Sequence, residues 1–213
     1  MFRIWTERQI PAAVKPMIGA EVRLLGPGTA TPNDPTSDLG TAQGVIAGGA
    51  AKYDARFMAK APDLRVIART GIGIDNVDVA EATSRSIVVC NTPDGPTVST
   101  AEHAITLMLN AAKLVKRYDL ALRESDERDF VSGYNGIEMD GLSLGLVGLA
   151  RIGPRVAAIP PALGMPVSPY DPSIESDRAE AWGITLAPPR KDMLPSSDVV
   201  PPHFPLPPRT PPP

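Results

Sequence analysis

The chain has 213 residues, 43% of them hydrophobic, and a net charge of −3 at neutral pH. This length allows one large domain or two small ones with a hydrophobic core. The absence of a basic block argues against a nucleic-acid or membrane-surface partner. No apolar run is long enough for a membrane span, and the charged amino terminus lacks a signal-peptide pattern, so we expect a cytoplasmic location.

Cysteine and histidine are too scarce for a disulfide or a zinc site. Cys90 is the single cysteine, and the two histidines are His103 and His203, so no metal site is predicted. Cys90 lies in the apolar run of residues 87–90, which predicts a thiol packed in the core.

Short apolar segments alternate with helix-like segments through the first half of the chain. Strands are predicted at residues 2–5, 20–25, 44–47, 65–68 and 87–90, and helices at 54–61 and 79–84. This alternation is typical of a parallel sheet, in which ligands bind beyond the carboxyl ends of the strands. Ser99 and Glu102 then have capping-box spacing in an amphipathic segment, which predicts one helix from near Val98 to about Tyr118.

The stretch from residue 144 to Asp171 has the pattern of a dinucleotide-binding turn. Residues 144–147 predict a buried strand, and the small residues Gly148, Ala150 and Gly153 follow where such a strand would turn into a helix. Residues 165–170 predict the next strand, and Asp171 at its end is placed to bind a ribose 2′-hydroxyl and to repel a 2′-phosphate. The pattern favours NAD over NADP, although Ala150 adds a methyl group where the backbone must approach the diphosphate.

Proline is concentrated near the carboxyl terminus, where the last 63 residues hold 17 of the 25 prolines. Pro154, Pro160 and Pro161 fall in the helix predicted after the turn, where proline removes a hydrogen bond. Others fall in predicted strands, namely Pro169, Pro201 and Pro202. We therefore expect strained or poorly ordered structure from about residue 154, and proline-rich coil over residues 205–213.

Four segments, residues 69–78, 91–103, 145–153 and 170–172, resemble the D-isomer-specific 2-hydroxyacid dehydrogenase family, including its phosphoglycerate dehydrogenase-like members. The resemblance implies an α/β fold of two Rossmann-like parallel-sheet domains. A flavodoxin-like substrate domain is expected over residues 1–97, and an NAD-binding domain, incomplete in this chain, over residues 98–213. The resemblance places the active site in the cleft between them and implies a possible homodimer formed through the cofactor domain.

The resemblance also implies which residues form the binding sites. Ile72 and Gly73 match a loop whose backbone N–H groups take the substrate carboxylate, although the glycines there could serve only a tight turn. The NAD-binding residues implied by the match are Gly148, Ala150, Arg151, Ile152, Gly153, Asp171 and Pro205. Pro205 belongs to residues 203–206, which match a segment beside the adenosine, so His203 is not expected to be catalytic.

The implied reaction is hydride transfer between NAD and a small D-2-hydroxy acid or 2-oxo acid. The arginine, glutamate and histidine that catalyse it in the family are expected beyond residue 213, so no catalytic residue is assigned and turnover is left open. A non-enzymatic NAD-binding protein and a defunct fragment are the alternatives. The loop of residues 48–51 lacks the arginine that phosphoglycerate enzymes place at the position of Gly48, which argues against a phosphorylated substrate.

A serine hydrolase is a more remote alternative. Residues 141–145 fit the pattern G-x-S-x-G, and Ser143 is followed along the chain by Asp198 and His203. That motif requires a strand before the serine, whereas here the predicted strand follows it, which argues against a hydrolase.

Overall fold

The computed structural model describes residues 1–27, 36–124, 133–186 and 190–204, and the chain divides into two compact units, Met1–Pro96 and Thr97–Pro213. The first unit contains five strands: β1 (Phe2–Thr6), β2 (Val22–Leu25), β3 (Gly44–Ala47), β4 (Val66–Arg69) and β5 (Val88–Asn91). They form one parallel sheet in the order β2-β1-β3-β4-β5. The predicted parallel α/β fold is confirmed, and this strand order is the flavodoxin-like one.

Two short helices begin in the first unit where an aspartate caps them. Helix α1 (Ala55–Ala59) follows Asp54, whose carboxylate accepts a hydrogen bond from the Phe57 N–H at 3.0 Å. Helix α2 (Val79–Ser84) begins in the same way after Asp78. These caps satisfy backbone donors that a helix leaves unpaired at its first turn. Short 3-10 helices lie at Lys15–Met17 and Leu39–Thr41.

The core of the first unit is built on aromatic side chains. Phe57 packs edge-on against Trp5 and Tyr53, with ring centroids 5.7 and 4.7 Å apart. Both partners are fully buried, and Val45 and Ile67 of the central strands extend the same cluster. The aromatic contacts add to the stabilisation that comes from burial.

The predicted core position of Cys90 is wrong, because the residue is exposed. Strand β5 lies at the edge of the sheet, and Val89 is the residue that packs against the core. Successive side chains of a strand point to opposite faces, so Cys90 points away from that core.

The second unit contains a smaller parallel sheet. Strand β6 (Leu144–Val147) is buried at all four positions and pairs with β7 (Val167–Tyr170). On its other side β6 forms single bridges to Val199 and Pro202. The largest fully buried side chains of this core are Leu144, Leu146, Leu149 and Met165.

The single helix predicted from residue 98 to about residue 118 is wrong, because two helices occupy this region. Helix α3 (Thr97–Ala112) begins two residues before Ser99, so Ser99 is not its cap, and α4 (Val115–Glu124) is a separate helix. The break lies at Leu114, which has φ of 52°. Helices often end on such a left-handed residue, but glycine or asparagine normally provides it, so leucine gave no sequence signal.

The prolines after the turn are accommodated because the helix that follows the turn is shorter than predicted. Helix α5 (Gly153–Ala157) holds Pro154 in its first turn, and a 3-10 helix (Pro160–Leu163) then begins with both remaining prolines. A first-turn residue needs no intrahelical donor, so proline is tolerated there. The remaining short elements are α6 (Ser176–Glu180), α7 (Arg190–Met193) and a 3-10 helix (Leu194–Ser196).

The prolines in the second sheet differ in their effect. Leu144 and Gly148 donate to the carbonyls of residues 166 and 170, so even-numbered residues of β7 face β6 and Pro169 directs its nitrogen away. Beyond β6, the His203 N–H donates to the Val147 carbonyl at 2.7 Å, so odd-numbered residues face β6 there. Pro201 is among them and cannot donate, which fits two isolated bridges in place of a third strand.

The strain expected from the prolines is therefore wrong for residues 154–186 and 190–204, apart from the missing Pro201 bond, whereas the poor order expected there stays a prediction. The proline-rich coil expected over residues 205–213 lies outside the described residues. No helix in the described part of the chain is both long enough and apolar enough to cross a membrane.

Candidate nucleotide-binding turn and substrate loops

The turn after β6 depends on two glycines. Gly148 has φ of 99°, and a side chain there would collide with the carbonyl group of His203. Its N–H donates to the Tyr170 carbonyl at 2.8 Å, which fixes the turn against the end of β7. At Gly153 a side chain would collide with the Gly148 carbonyl. Only glycine fits at these two positions, which keeps the turn tight where α5 begins.

Two of the residues between these glycines, Ala150 and Arg151, line a surface cleft. Ala150 and Arg151 are exposed and Ile152 is half-buried. A cleft of about 540 Å³ adjoins the turn, and its lining is Ala150, Arg151, Pro154, Arg155, Ile174 and Trp182. The methyl group of Ala150 thus lies on the open side of the turn, where it narrows the approach to the backbone without disturbing the core.

Asp171 is bound to the turn by its carboxylate. Oδ2 accepts a hydrogen bond from the Leu149 N–H at 2.7 Å, and Oδ1 accepts from the Ser173 N–H at 2.9 Å and the Ser173 hydroxyl at 2.6 Å. Burial raises the pKa of this carboxyl, but the hydrogen bonds from Leu149 and Ser173 outweigh burial, so its pKa lies below the usual value. The side chain is therefore an anion at neutral pH.

These residues fit a dinucleotide. The tight turn leaves no side chain at Gly148 or Gly153, and the half-buried Asp171 is held beside it. A carboxylate offers about four acceptor positions, and three donors leave one for a ribose hydroxyl. The structure thus brings Gly148, Ala150, Arg151, Ile152, Gly153 and Asp171 together in one region of the second unit.

His203 has a part in the turn that the sequence did not predict, because its backbone covers Gly148. Its imidazole is half-buried, and Nε2 has no hydrogen-bond partner among the described residues. Burial lowers the pKa of His203 below its usual value, so the ring is neutral at neutral pH. Pro205, which the resemblance placed beside the adenosine, lies outside the described residues.

Ile72 and Gly73, the predicted substrate-binding residues, lie in a loop of the first unit. The side chains of Asn91 and Thr92 form hydrogen bonds with the backbone of this loop. The Ile72 carbonyl accepts from Asn91 Nδ2 at 2.8 Å, and the Gly71 N–H donates to the Thr92 hydroxyl at 2.8 Å. Gly73 is exposed. Sequence reasoning quoted Asn91 and Thr92 as part of a motif but gave them no role, and their position directly at the end of β5 was the available signal.

A second loop, residues 48–51, follows β3 at the same end of the sheet. Glu7 Oε1 accepts a hydrogen bond from the Ala50 N–H at 3.1 Å and another from the Ala51 N–H. Asn76 Nδ2 donates to the carbonyls of Gly48 and Ala51 at 3.0 and 2.9 Å. Sequence reasoning missed Glu7 and Asn76, because the loop and these partners are far apart along the chain.

The arrangement required for a serine hydrolase is absent from the described residues. The Ser143 hydroxyl lies 2.8 Å from Asp198 Oδ2, so the serine contacts the carboxylate directly. His203 pairs by its backbone with Val147, four residues or roughly 13 Å along the strand from Ser143. An imidazole between serine and aspartate is what the triad needs, so the hydrolase alternative is wrong.

A parallel α/β unit with a glycine turn and a carboxylate at the end of the next strand defines a nucleotide-binding class of protein. A family model described as the catalytic domain of D-isomer specific 2-hydroxyacid dehydrogenases matches residues 10–188. The chain therefore belongs to the D-isomer specific 2-hydroxyacid dehydrogenase family.

Individual relatives agree with this assignment. The chain is 41% identical to a D-3-phosphoglycerate dehydrogenase of Archaeoglobus fulgidus over 165 residues, which are 76% of this chain and 30% of that protein. It therefore spans under a third of that relative.

Solved structures share the fold. A Thermus thermophilus protein has a TM-score of 0.81 at 28% identity. The match covers 98% of this chain and 67% of the Thermus chain. D-lactate dehydrogenase of Aquifex aeolicus, complexed with NAD and lactic acid, has a TM-score of 0.72 at 24% identity. The match covers 96% of this chain and 61% of the Aquifex chain.

Proposed function

We propose that this chain binds NAD at the Gly148–Gly153 turn and carries the corresponding part of a D-2-hydroxyacid dehydrogenase. The observation that supports this most is the Asp171 carboxylate, held against the turn by the Leu149 N–H. A carboxylate at that place accepts ribose hydroxyls and repels a 2′-phosphate, which favours NAD over NADP. NAD, when bound, supplies the hydride acceptor for oxidation of a hydroxy acid.

The division of roles follows the two units. Residues 1–97 would form part of the substrate domain, with backbone N–H groups at Ile72 and Gly73 receiving the carboxylate of a D-2-hydroxy or 2-oxo acid. Residues 98–213 would form part of the cofactor domain, with Ala150, Arg151 and Ile152 facing the diphosphate and Pro205 near the adenosine. A homodimer and a cytoplasmic location complete the proposal, and light scattering and cell fractionation test them.

NAD binding without turnover is the second candidate. A dehydrogenase needs a base for the hydroxyl proton. Neither histidine of the chain is placed to act as this base. His103 is exposed on α3, and His203 Nε2 is buried without a hydrogen-bond partner among the described residues. This observation favours a chain that binds the cofactor but does not itself complete the reaction.

Turnover and binding separate the two candidates. The purified chain, shown to be folded by circular dichroism, is mixed with NADH and a panel of 2-oxo acids while nicotinamide absorbance is followed. NADH oxidation with a 2-oxo acid supports the dehydrogenase. Saturable NADH binding without oxidation supports the binding protein, and a folded chain that does not bind NADH contradicts both.

A further inference from the structure

The strand order of the first unit predicts where a ligand crevice would lie. From β1 the chain moves to β2 on one side and then returns to β3 on the other, so β1 and β3 are neighbours at the point where the strand order reverses. In open α/β sheets, ligands bind outside the carboxyl ends of the strands at this switch point. Glu7 directly follows β1, and Gly48–Ala51 directly follow β3, so these residues lie at the switch point, where the topology predicts a crevice.

Three backbone donors of residues 48–51 are already engaged by the protein. Glu7 accepts from the N–H groups of Ala50 and Ala51, and the Gly48 N–H donates to the Tyr53 hydroxyl oxygen at 3.1 Å. Successive N–H groups in a loop form an anion-binding concavity. Here the anion is the chain's own carboxylate.

Glu7 also occupies the side-chain space of residue 48. A Cβ atom built on Gly48 would collide with Glu7 Oε2. The position at which a larger or charged residue could extend into the crevice is therefore filled by the carboxyl group of Glu7.

The surroundings hold this arrangement in place. Tyr53 is fully buried, and burial together with the negative charge of Glu7 raises the pKa of its hydroxyl, which stays protonated at neutral pH. Asn76 Nδ2 donates to the carbonyls at both ends of the loop, those of Gly48 and Ala51. Because these contacts fix both ends of the loop, the Ala50 and Ala51 donors cannot turn toward a ligand while Glu7 is in place.

We propose that Glu7 is a specificity-determining residue that closes the switch-point crevice to a second anionic group, so that the substrate is an unphosphorylated 2-hydroxy or 2-oxo acid. This inference rests on the proposed function and narrows its substrate class. A phosphate group entering the crevice would find the N–H groups of Gly48, Ala50 and Ala51 occupied and a like charge beside them. Two cations adjoin the loop, Arg8 at Gly48 and Arg69 at Gly49, and both would favour an anion once Glu7 is removed.

The test is an NMR titration of the full chain with inorganic phosphate, D-glycerate and D-3-phosphoglycerate, without cofactor. In the wild type we expect the amide resonances of residues 48–51 to be unmoved by phosphate. Glu7→Gln and Glu7→Ala should bind phosphate at least about tenfold more tightly, with shifts at Ala50 and Ala51. Glu21→Gln, which removes an equal charge from an exposed site before β2, should behave like the wild type.

Two results would overturn the proposal: phosphate binding at residues 48–51 in the wild type, or variants that fold but gain no phosphate affinity. If the variants do not fold, the wild-type comparison decides, since tighter binding of D-3-phosphoglycerate than of D-glycerate contradicts the closed crevice. Neither readout involves NAD or turnover, so failure here is distinguishable from failure of the proposed function.

Discussion

At the scale of single residues, Gly148 and Ala150 have opposite roles in the same turn. Gly148 has a left-handed backbone and no room for a side chain beside the His203 carbonyl. We expect Gly148→Ala to lower the free energy of unfolding by about 1–3 kcal/mol and to abolish NADH binding, because the new methyl group strains the backbone and displaces residue 203. Urea unfolding and calorimetry measure the two effects.

Ala150→Gly is the matched control, since it removes a methyl group from the exposed side of the same turn. It should strengthen NADH binding and change the free energy of unfolding by no more than about 1 kcal/mol. A Gly148→Ala variant as stable as the wild type would show that the turn is not constrained as described.

His203 gives a pH dependence of stability. Burial lowers its pKa in the folded chain, so between the ordinary value of 6.5 and the lower folded value the unfolded chain binds the proton more readily. Stability from the neutral ring is therefore complete above about pH 6.5 and falls as the pH decreases toward the folded pKa. Urea unfolding from pH 7.5 to 5 should show this decline, and His203→Gln should reduce its slope.

His103→Gln is the control for this series, because His103 is exposed on α3. The change in slope caused by His203→Gln should exceed that caused by His103→Gln. A His203→Gln variant with the wild-type slope would contradict the assigned role of burial at this imidazole.

At the scale of elements, the two prolines beside β6 face in opposite directions. Pro201 faces β6 and cannot donate a hydrogen bond there, whereas Pro202 faces away. Pro201→Val should therefore be more stable than Pro202→Val by about 0.5–1.5 kcal/mol, the net contribution of one backbone hydrogen bond. Both variants lose the same proline rigidity in the unfolded chain, so their difference in urea unfolding reports chiefly the bond. Equal stabilities would contradict the assigned register.

The elements also show where sequence reasoning succeeds. Strands β3 and β6 were predicted with their correct bounds, because parallel strands buried on both faces appear as uninterrupted apolar runs. The break between α3 and α4 could not be predicted, because Leu114 adopts a conformation that its residue type disfavours. The proline error had a different origin, since a helix can end and restart so that each proline lies in a first turn.

At the scale of the whole molecule, the fold of each unit could be predicted but not the contacts that close its site. Glu7 and Ala50 are 43 positions apart and meet only because β1 and β3 are neighbours in the sheet. The position of Asp171 at the end of a strand could be predicted, because its spacing from the glycines is a local pattern. Its hydrogen bond to the Leu149 N–H could not. Long-range side-chain contacts of this kind depend on strand order, which alternation of elements does not specify.

The most direct test of the central claim, that the Gly148–Gly153 turn with Asp171 binds NAD, is calorimetric titration of the full chain with NADH and NADPH. The wild type should bind NADH saturably and prefer it to NADPH by at least about tenfold. Asp171→Asn should weaken NADH binding and reduce that preference, whereas Asp177→Asn, the same change at an exposed position of α6, should do neither. A folded chain that fails to bind NADH, or that binds both nucleotides equally, would contradict the account.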